Sequence, residues 1–288
     1  MEICRDTGSM IALSDRWRAE GKPIVLVATM GALHEGHLTL VSRAQDWLAE
    51  RGGGRVVTSI FVNPTQFGEA EDLAKYPRTE EADTALLAGA GVDAIFLPGV
   101  ADIYLPGAQT IVDVTGLSRV LMGKLRPGHF RGVATVVTKL FNITGCNAAT
   151  FGEKDYQQLT LVRQMVRDLN TRVEIIPVPT VREADGLAMS SRNQRLTPED
   201  RAAAPVLSRS LDRAQEVAAS GGTIAAIRRE VAKVLAGEPR GEVQTIDIRR
   251  ASDLAAISGQ PDQPVVVLLA VRFGGVLLID QRVCDPSA

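Results

Sequence analysis

Apolar residues change period along this 288-residue chain, and the changes mark its elements. The run "IVLVA" (24–28) is continuously apolar, the pattern of a strand buried on both faces. Leu40, Val41, Ala44, Trp47 and Leu48 then recur at helical spacing, up to a Gly-Gly-Gly break at 52–54. "RVVTSIFVN" (55–63) predicts a second strand, "EEADTALLAGAG" a helix closed by glycine, and "VDAIFLP" (92–98) a third strand. "GVATVVTKLFNIT" (132–144) predicts a helix in spite of its β-branched residues, because its apolar positions do not alternate. A short strand in "NAATFGEKD" leads into "YQQLTLVRQMVRDLN", where Leu159, Val162, Val166 and Leu169 form a stripe, and "RVEIIPVPT" reads as a further strand. Strands alternating with helices imply βαβ units, right-handed crossovers and a mostly parallel sheet.

The texture changes near residue 180. "TPED" (197–200) is a helix start, with Thr197 as N-cap, Pro198 at the first helical position and Asp200 two further on. A long Ala/Arg helix is expected after it, then a second amphipathic helix in "TIAAIRREVAKVLAG". "VQTIDIRR" alternates, and "VVVLLAVRFGGVLLID" reads as two strands joined at Gly274-Gly275. The expected fold class is α/β: a Rossmann-like parallel sheet with helices on both faces over residues 1–180, plus a smaller C-terminal α+β domain over 181–288.

Bulk properties narrow the function classes. Apolar residues make up 45% of the chain, enough for a substantial core. The formal charge of −2 gives no global pull toward nucleic acid or an anionic membrane. Cys4, Cys146 and Cys284 are far apart and form no C-x-x-C pair, which fits a reducing cytoplasm better than a disulfide or zinc framework. "MEICRDTGSMIALSDRW" has no apolar h-region, so no signal peptide is expected, and "VVVLLAV" is too short to span a bilayer.

Two of the three histidines lie three residues apart in "MGALHEGH" (30–37), after the first core strand. Ligands of open parallel sheets sit at the carboxyl ends of strands, near a helix N-terminus. The glycines fit neither G-x-G-x-x-G nor a P-loop, which leaves H-x-G-H at a strand-to-helix turn. Gly36 would let a phosphate approach the backbone, and His34 and His37 would donate hydrogen bonds to phosphate oxygens. His37 also extends the helix stripe, so on its own it reads as a core histidine; the pair in one glycine-flanked loop favours the site.

Other stretches are polar for their surroundings. Asn63 and Gln66 in "FVNPTQFG" are neutral amides suited to hydroxyls or a carboxylate, or part of an ordinary Asn-Pro turn. "RPGHFRGV" gathers Arg126, His129 and Arg131 in what reads as an anion-binding or gating loop, or a solvated basic turn. Lys154 in "FGEKDYQQL" stands on the wrong side of the macrodipole of the helix it opens, which points it toward a phosphate, with Gln158 four residues on and beside it. "MSSRN" (189–193) reads as a phosphate clamp at the domain junction or as a polar linker.

Together, MGALHEGH, "SIFVNPTQF", "YPRT", "RPGHFRGVATVV", "FGEKDYQQL" and "MSSRN", in that order, resemble the pantothenate synthetase (pantoate–β-alanine ligase) family over about residues 24–195. H-x-G-H alone marks only the wider nucleotidyltransferase superfamily; "FGEKDYQQL" with "RPGHFRGV" is more specific. The resemblance implies a coenzyme A pathway ligase with two steps. Pantoate carboxylate attacks the α-phosphorus of Mg-ATP to give pantoyl-adenylate and pyrophosphate, and β-alanine then displaces AMP to give pantothenate. It implies an ATP site of Met30, Gly31, Ala32, Leu33, His34, Glu35, Gly36 and His37, of Gly152, Glu153, Lys154 and Asp155, and of Val181, Met189, Ser190, Ser191 and Arg192. His37, His34, Lys154, Ser190, Ser191 and Arg192 are the expected charge-neutralising groups, with His37 the proton donor. Gln66 and Gln158 are expected to hold pantoate, with Asn63, Arg126 and His129 also on the substrates and Gln66 near β-alanine.

A cytoplasmic homodimer with no nucleic-acid or membrane partner is implied too, as is closure by segments 65–80 and 126–131 and by rotation of the C-terminal domain. Ala28 stands where such sequences usually carry proline before T-M-G. Asp83 is the one protein-side magnesium candidate, the metal being expected mainly on the triphosphate. The rival readings are a sister H-x-G-H nucleotidyltransferase with a phosphorylated acceptor, against which the neutral Gln66 and Gln158 argue, and a non-catalytic nucleotide-binding module, against which the intact His, Lys and Ser-Ser-Arg elements argue.

Overall fold

The computed structural model describes residues 1–67, 73–74 and 76–286, so part of the expected closing segment 65–80 lies outside the described residues. The chain forms two compact units. One comprises Met1–Gly152 and Leu161–Val178, the other Glu153–Thr160 and Pro179–Ala288.

The first unit is built on strands β1 (Glu2–Cys4), β2 (Ile24–Thr29), β3 (Arg55–Ile60), β4 (Ala94–Phe96), β5 (Ala148–Gly152) and β6 (Glu174–Val178). They form one parallel sheet in the order β1-β4-β3-β2-β5-β6. Ile24, Val25, Leu26 and Val27 are fully buried, as the unbroken apolar run requires of a central parallel strand. Helices α1 (Thr7–Ala19), α2 (Glu35–Ala49), α3 (Glu80–Gly89) and α4 (His129–Thr144) surround the sheet. The α2 stripe of Leu40, Val41, Ala44, Trp47 and Leu48 packs on Val25, Val27, Val56 and Ile95. Each such side chain taken out of water contributes roughly 1.5–3 kcal/mol. Strands β3, β4 and β1 follow on one side of β2, and β5 and β6 lie on the other. The loop leaving β2 therefore sits where the strand order reverses, the ligand position of open α/β sheets.

Two features of this unit differ from the sequence pattern. β1 and α1 carry no strong apolar period; α1 is held by Met10, Leu13 and Trp17 and capped by Asp6, whose carboxylate accepts the Ser9 N–H at 2.8 Å. "RPGHFRGV" is not a loop throughout: α4 begins at His129, so His129 and Arg131 lie in its first turn.

Helix α5 (Tyr156–Asp168) opens in the second unit and belongs to the first from Leu161 on. The rest of the second unit contains helices α6 (Pro198–Ala203), α7 (Val206–Ala219) and α8 (Ile224–Ala236) and strands β7 (Gly241–Arg250), β8 (Val265–Phe273) and β9 (Val276–Cys284). The strands form an antiparallel sheet in the order β7-β8-β9, with Phe273 and Val276 paired across the expected Gly-Gly hairpin. Leu207, Leu211, Ile227, Val231 and Leu235 from the helices meet Val265, Val267, Leu269 and Val271 from β8.

The expected long Ala/Arg helix is in fact two, α6 and α7, because Pro205 has no N–H to continue the first ladder and its ring clashes with the preceding turn. Thr197 Oγ1 accepts the Asp200 N–H at 3.2 Å, so the cap read from "TPED" is present. Thr197→Ala is expected to cost about 1 kcal/mol of stability. A lowered denaturant midpoint at unchanged m-value would show it; an unchanged midpoint would mean that the cap contributes nothing. Among the described residues no helix is long and apolar enough to cross a membrane.

Candidate active site

The β2–α2 loop has an unusual backbone. Gly31 has φ +84° and Ala32 φ +52°, a left-handed conformation that costs an alanine about 1–2 kcal/mol. A buried carboxylate offsets it. Asp83, in the first turn of α3 and 2% exposed, accepts the Ala32 N–H on Oδ2 and the Leu33 N–H on Oδ1, both at 2.9 Å. Thr79 Oγ1 donates to the same Oδ2 at 3.0 Å. Glycine is required at 31, because a Cβ there would stand 3.0 Å from Asp83 Oδ2 and 3.1 Å from Ile60 Cγ2. The carboxylate expected as a magnesium candidate thus serves the loop backbone in this structure. Among the described residues no group of three His, Cys, Asp or Glu side chains is placed to hold a metal ion.

The loop delivers both histidines to the start of α2. His34 is the extended N-cap, at φ −144°, and His37 lies in the first turn. The His34 N–H donates to His37 Nδ1 at 3.3 Å, and the two rings are 4.1 Å apart, tilted by 48°. A neutral imidazole that accepts at Nδ1 carries its proton on Nε2, which leaves that nitrogen as an N–H donor. The α2 N-terminus adds its own partial positive charge. His37 is half-buried, on the same helix as the buried stripe that begins at Leu40.

The turn Pro64–Gln66 follows β3 in the same unit. Asn63 is 1% exposed and fully engaged within the protein. Its Nδ2 donates to Gln66 Oε1 at 3.1 Å and to the Gly132 carbonyl at 3.3 Å. Its Oδ1 accepts from the Thr65 N–H, the Thr65 hydroxyl and the Tyr104 hydroxyl. With both amide hydrogens used in this way, Asn63 braces Gln66. Arg126 Nη2 donates to the Gln66 carbonyl at 3.2 Å, and His129 Nδ1 meets the same oxygen at 2.7 Å, so both hold the turn. Gln66 Nε2 donates to Met30 Sδ at 2.9 Å, tying this turn to the histidine loop.

Tyr104 gave no signal in the sequence. Burial pushes its phenol up, and the bonds to Thr65 and Asn63 oppose that rise.

In the second unit, Lys154 lies in a single 3-10 turn, Glu153–Asp155, before α5 starts. Gln158 follows in the first turn of α5, partly exposed. Lys154, Ala188, Ser190, Asn193 and Asp280 line one small pocket. Burial pulls the Lys154 ammonium below the ordinary lysine value; Asp155 and Asp280 oppose this, and Arg192 reinforces it. Asp280 is held by Arg182 through two bonds of 2.8 and 3.0 Å.

Val181 accepts the Met189 N–H at 2.9 Å, and Arg182 bridges Ala188, so 181–189 folds back on itself and presents Met189–Arg192. Ser190 Oγ caps the turn Ser191–Arg195 by accepting the Arg192 N–H at 3.2 Å. His34, His37, Gln66, Arg126 and His129 thus belong to the first unit, and Lys154, Gln158, Val181 and Met189–Arg192 to the second.

Histidines at a helix N-terminus beyond the central strand of a parallel sheet, where the strand order reverses, define an α/β enzyme of the nucleotidyltransferase kind. The profile of the pantoate-beta-alanine ligase family matches residues 2–283, and the chain belongs to that family. It is 53% identical over 268 residues to the pantothenate synthetase of Agrobacterium fabrum, covering 93% of this chain and 90% of that one. The crystal structure of pantothenate synthetase from Thermus thermophilus superposes with a TM-score of 0.90 at 45% identity, over 98% and 99% of the two chains. That of pantoate-beta-alanine ligase from Francisella tularensis, complexed with beta-gamma ATP and beta-alanine, superposes with a TM-score of 0.80 at 32% identity over the whole of both chains.

Proposed function

We propose that the chain joins pantoate to β-alanine with ATP, through a pantoyl-adenylate, releasing pyrophosphate and AMP. The observation that carries this reading is the bond between Gln66 and Met30, which ties a neutral amide to the loop bearing the His37 N–H donor.

The chemistry needs little proton transfer in its first step. Pantoate carboxylate is ionised at neutral pH. One of its oxygens bonds to the α-phosphorus, the bond to the bridging oxygen breaks, and pyrophosphate leaves. What this requires is in-line positioning and neutralisation of charge on phosphate oxygens. His37 Nε2–H, His34 and the α2 N-terminus are assigned to those oxygens, together with Lys154, Ser190, Ser191 and Arg192. Gln66 and Gln158 orient pantoate by hydrogen bonds without adding charge. In the second step the amine of β-alanine bonds to the acyl carbon, the carbon–oxygen bond to AMP breaks, and the nitrogen loses its proton. Magnesium is taken to enter with the triphosphate, as part of the substrate.

The three cysteines are buried thiols, and burial pushes Cys146 up to about 12 and Cys284 up to about 11. Inert thiols of this kind support a cytoplasmic enzyme. Family membership supports a homodimer, for which sedimentation equilibrium should give twice the chain mass.

The direct test is pyrophosphate release from Mg-ATP with pantoate alone, then AMP formation over many turnovers once β-alanine is added. Release driven by cytidine triphosphate and a phosphorylated acceptor, with none driven by pantoate, would overturn the reading in favour of a sister nucleotidyltransferase.

A pH dependence follows from Lys154. An ammonium pulled below 10.5 by burial regains proton affinity when a triphosphate arrives beside it. Binding then takes up a proton wherever free Lys154 is neutral, so the KM for ATP should rise with pH through the lowered pKa. Lys154→Gln should flatten that limb. A limb that persists in the variant would contradict the assignment.

A further inference from the structure

We infer that Asp83 is a positioning residue that sets the imidazole tautomer of His37. The inference rests on the assignment of His37 to the phosphates of ATP. Asp83 touches neither histidine directly. Its two oxygens hold the N–H groups of Ala32 and Leu33, the two residues immediately before His34. Ala32 stays in its left-handed conformation, which a non-glycine residue seldom adopts, under that grip. The direction in which the loop then enters α2 aims the His34 N–H at His37 Nδ1. The proton consequently sits on Nε2, the other ring nitrogen. Thr79 and the α3 backbone fix Asp83 in turn: Thr79 Oγ1 donates to Oδ2 at 3.0 Å and the Asp83 N–H bonds to the Thr79 carbonyl at 2.8 Å. A buried carboxylate bridging two adjacent N–H groups is not replaced by an amide, because asparagine can accept on one side only and turns a donor toward the other N–H.

The tautomer can be read without substrate, from the nitrogen-15 resonances of the His37 ring. The parent protein should show a protonated Nε2 and an accepting Nδ1; a proton on Nδ1 in the parent would overturn the inference, whatever the variants do. Asp83→Asn should give mixed tautomers and lower kcat about 10- to 100-fold, while the KM for pantoate stays within about threefold. Adding Ala32→Gly to that variant should recover part of kcat, since glycine adopts a positive φ without strain. A folded Asp83→Asn protein with the parent tautomer and parent kcat would refute the role. The expected tautomer in a parent that releases no pyrophosphate with pantoate would leave the Asp83 inference standing and sink the assigned reaction instead.

Discussion

Replacing His37 by alanine is expected to lower kcat for pantoate-dependent pyrophosphate release by at least about 100-fold, the loss typical of a donor aimed at developing charge. The fold should survive. His37 is only half-buried, so its truncation opens no closed apolar cavity. It does remove the acceptor for the His34 N–H, a loss of about 1 kcal/mol for a single hydrogen bond. The thermal midpoint should therefore move by a few degrees at most while activity collapses. His37→Gln keeps a donor in the side chain and should retain more activity than His37→Ala. Rapid-quench assay of the first turnover separates this step from β-alanine transfer. Parent-like pyrophosphate release in a folded His37→Ala protein would remove His37 from the chemistry.

Gly132→Ala should act on the pantoate side through sterics alone. Gly132 lies within α4, where alanine is otherwise favoured over glycine by about 0.8–1 kcal/mol. Here the sign reverses. A Cβ at 132 would stand 2.4 Å from the Thr65 carbonyl oxygen and 2.9 Å from the Gln66 nitrogen, contacts that no rotamer relieves because both partners are backbone. Either α4 retreats or the turn that carries Gln66 is displaced. Overpacking of this kind costs about 1–3 kcal/mol, which on a unit of this size lowers the melting temperature by several degrees. Displacing Gln66 by about 1 Å should raise the KM for pantoate about 100-fold. The KM for ATP should change much less, because the histidine loop has its own brace in Asp83. Equal rises in both constants would mean general unfolding; no rise in either would mean that the turn does not place pantoate.

The parts legible in the sequence are those that local physics dictates. A buried parallel strand reads as a near-continuous apolar run, so Ile24–Thr29 announced itself, and the valines of Arg55–Ile60 marked its neighbour. Thr197 with Pro198 marked a helix start because the cap and the fixed φ act within one turn. The histidine pair stood out because two imidazoles in a glycine-flanked turn have little structural reason to be there.

What escaped the sequence depends on contacts made over long separations. Asp83 sits in "EEAD", where its neighbours Glu80 and Glu81 are exposed, and the loop N–H groups it holds lie some fifty residues upstream. Nothing in its neighbourhood distinguishes a buried brace from a surface acid. Asn63 could be picked out as a polar residue in apolar surroundings, but whether it meets substrate or protein depends on Gly132 and Tyr104, which are distant in the chain. The start of α4 was obscured by β-branched residues and by Gly128, whose φ of +83° lets the helix begin at His129.

The central claim is that pantoate carboxylate attacks the α-phosphorus, and an isotope can follow that oxygen. Pantoate carrying oxygen-18 in its carboxylate should be turned over with Mg-ATP and β-alanine, and the products weighed by mass spectrometry. The adenylate route predicts AMP with a single oxygen-18 atom and pantothenate that keeps the other, because amine attack at the acyl carbon leaves the bridging oxygen on phosphorus. Label appearing in orthophosphate with release of ADP, or AMP free of label, would contradict the account.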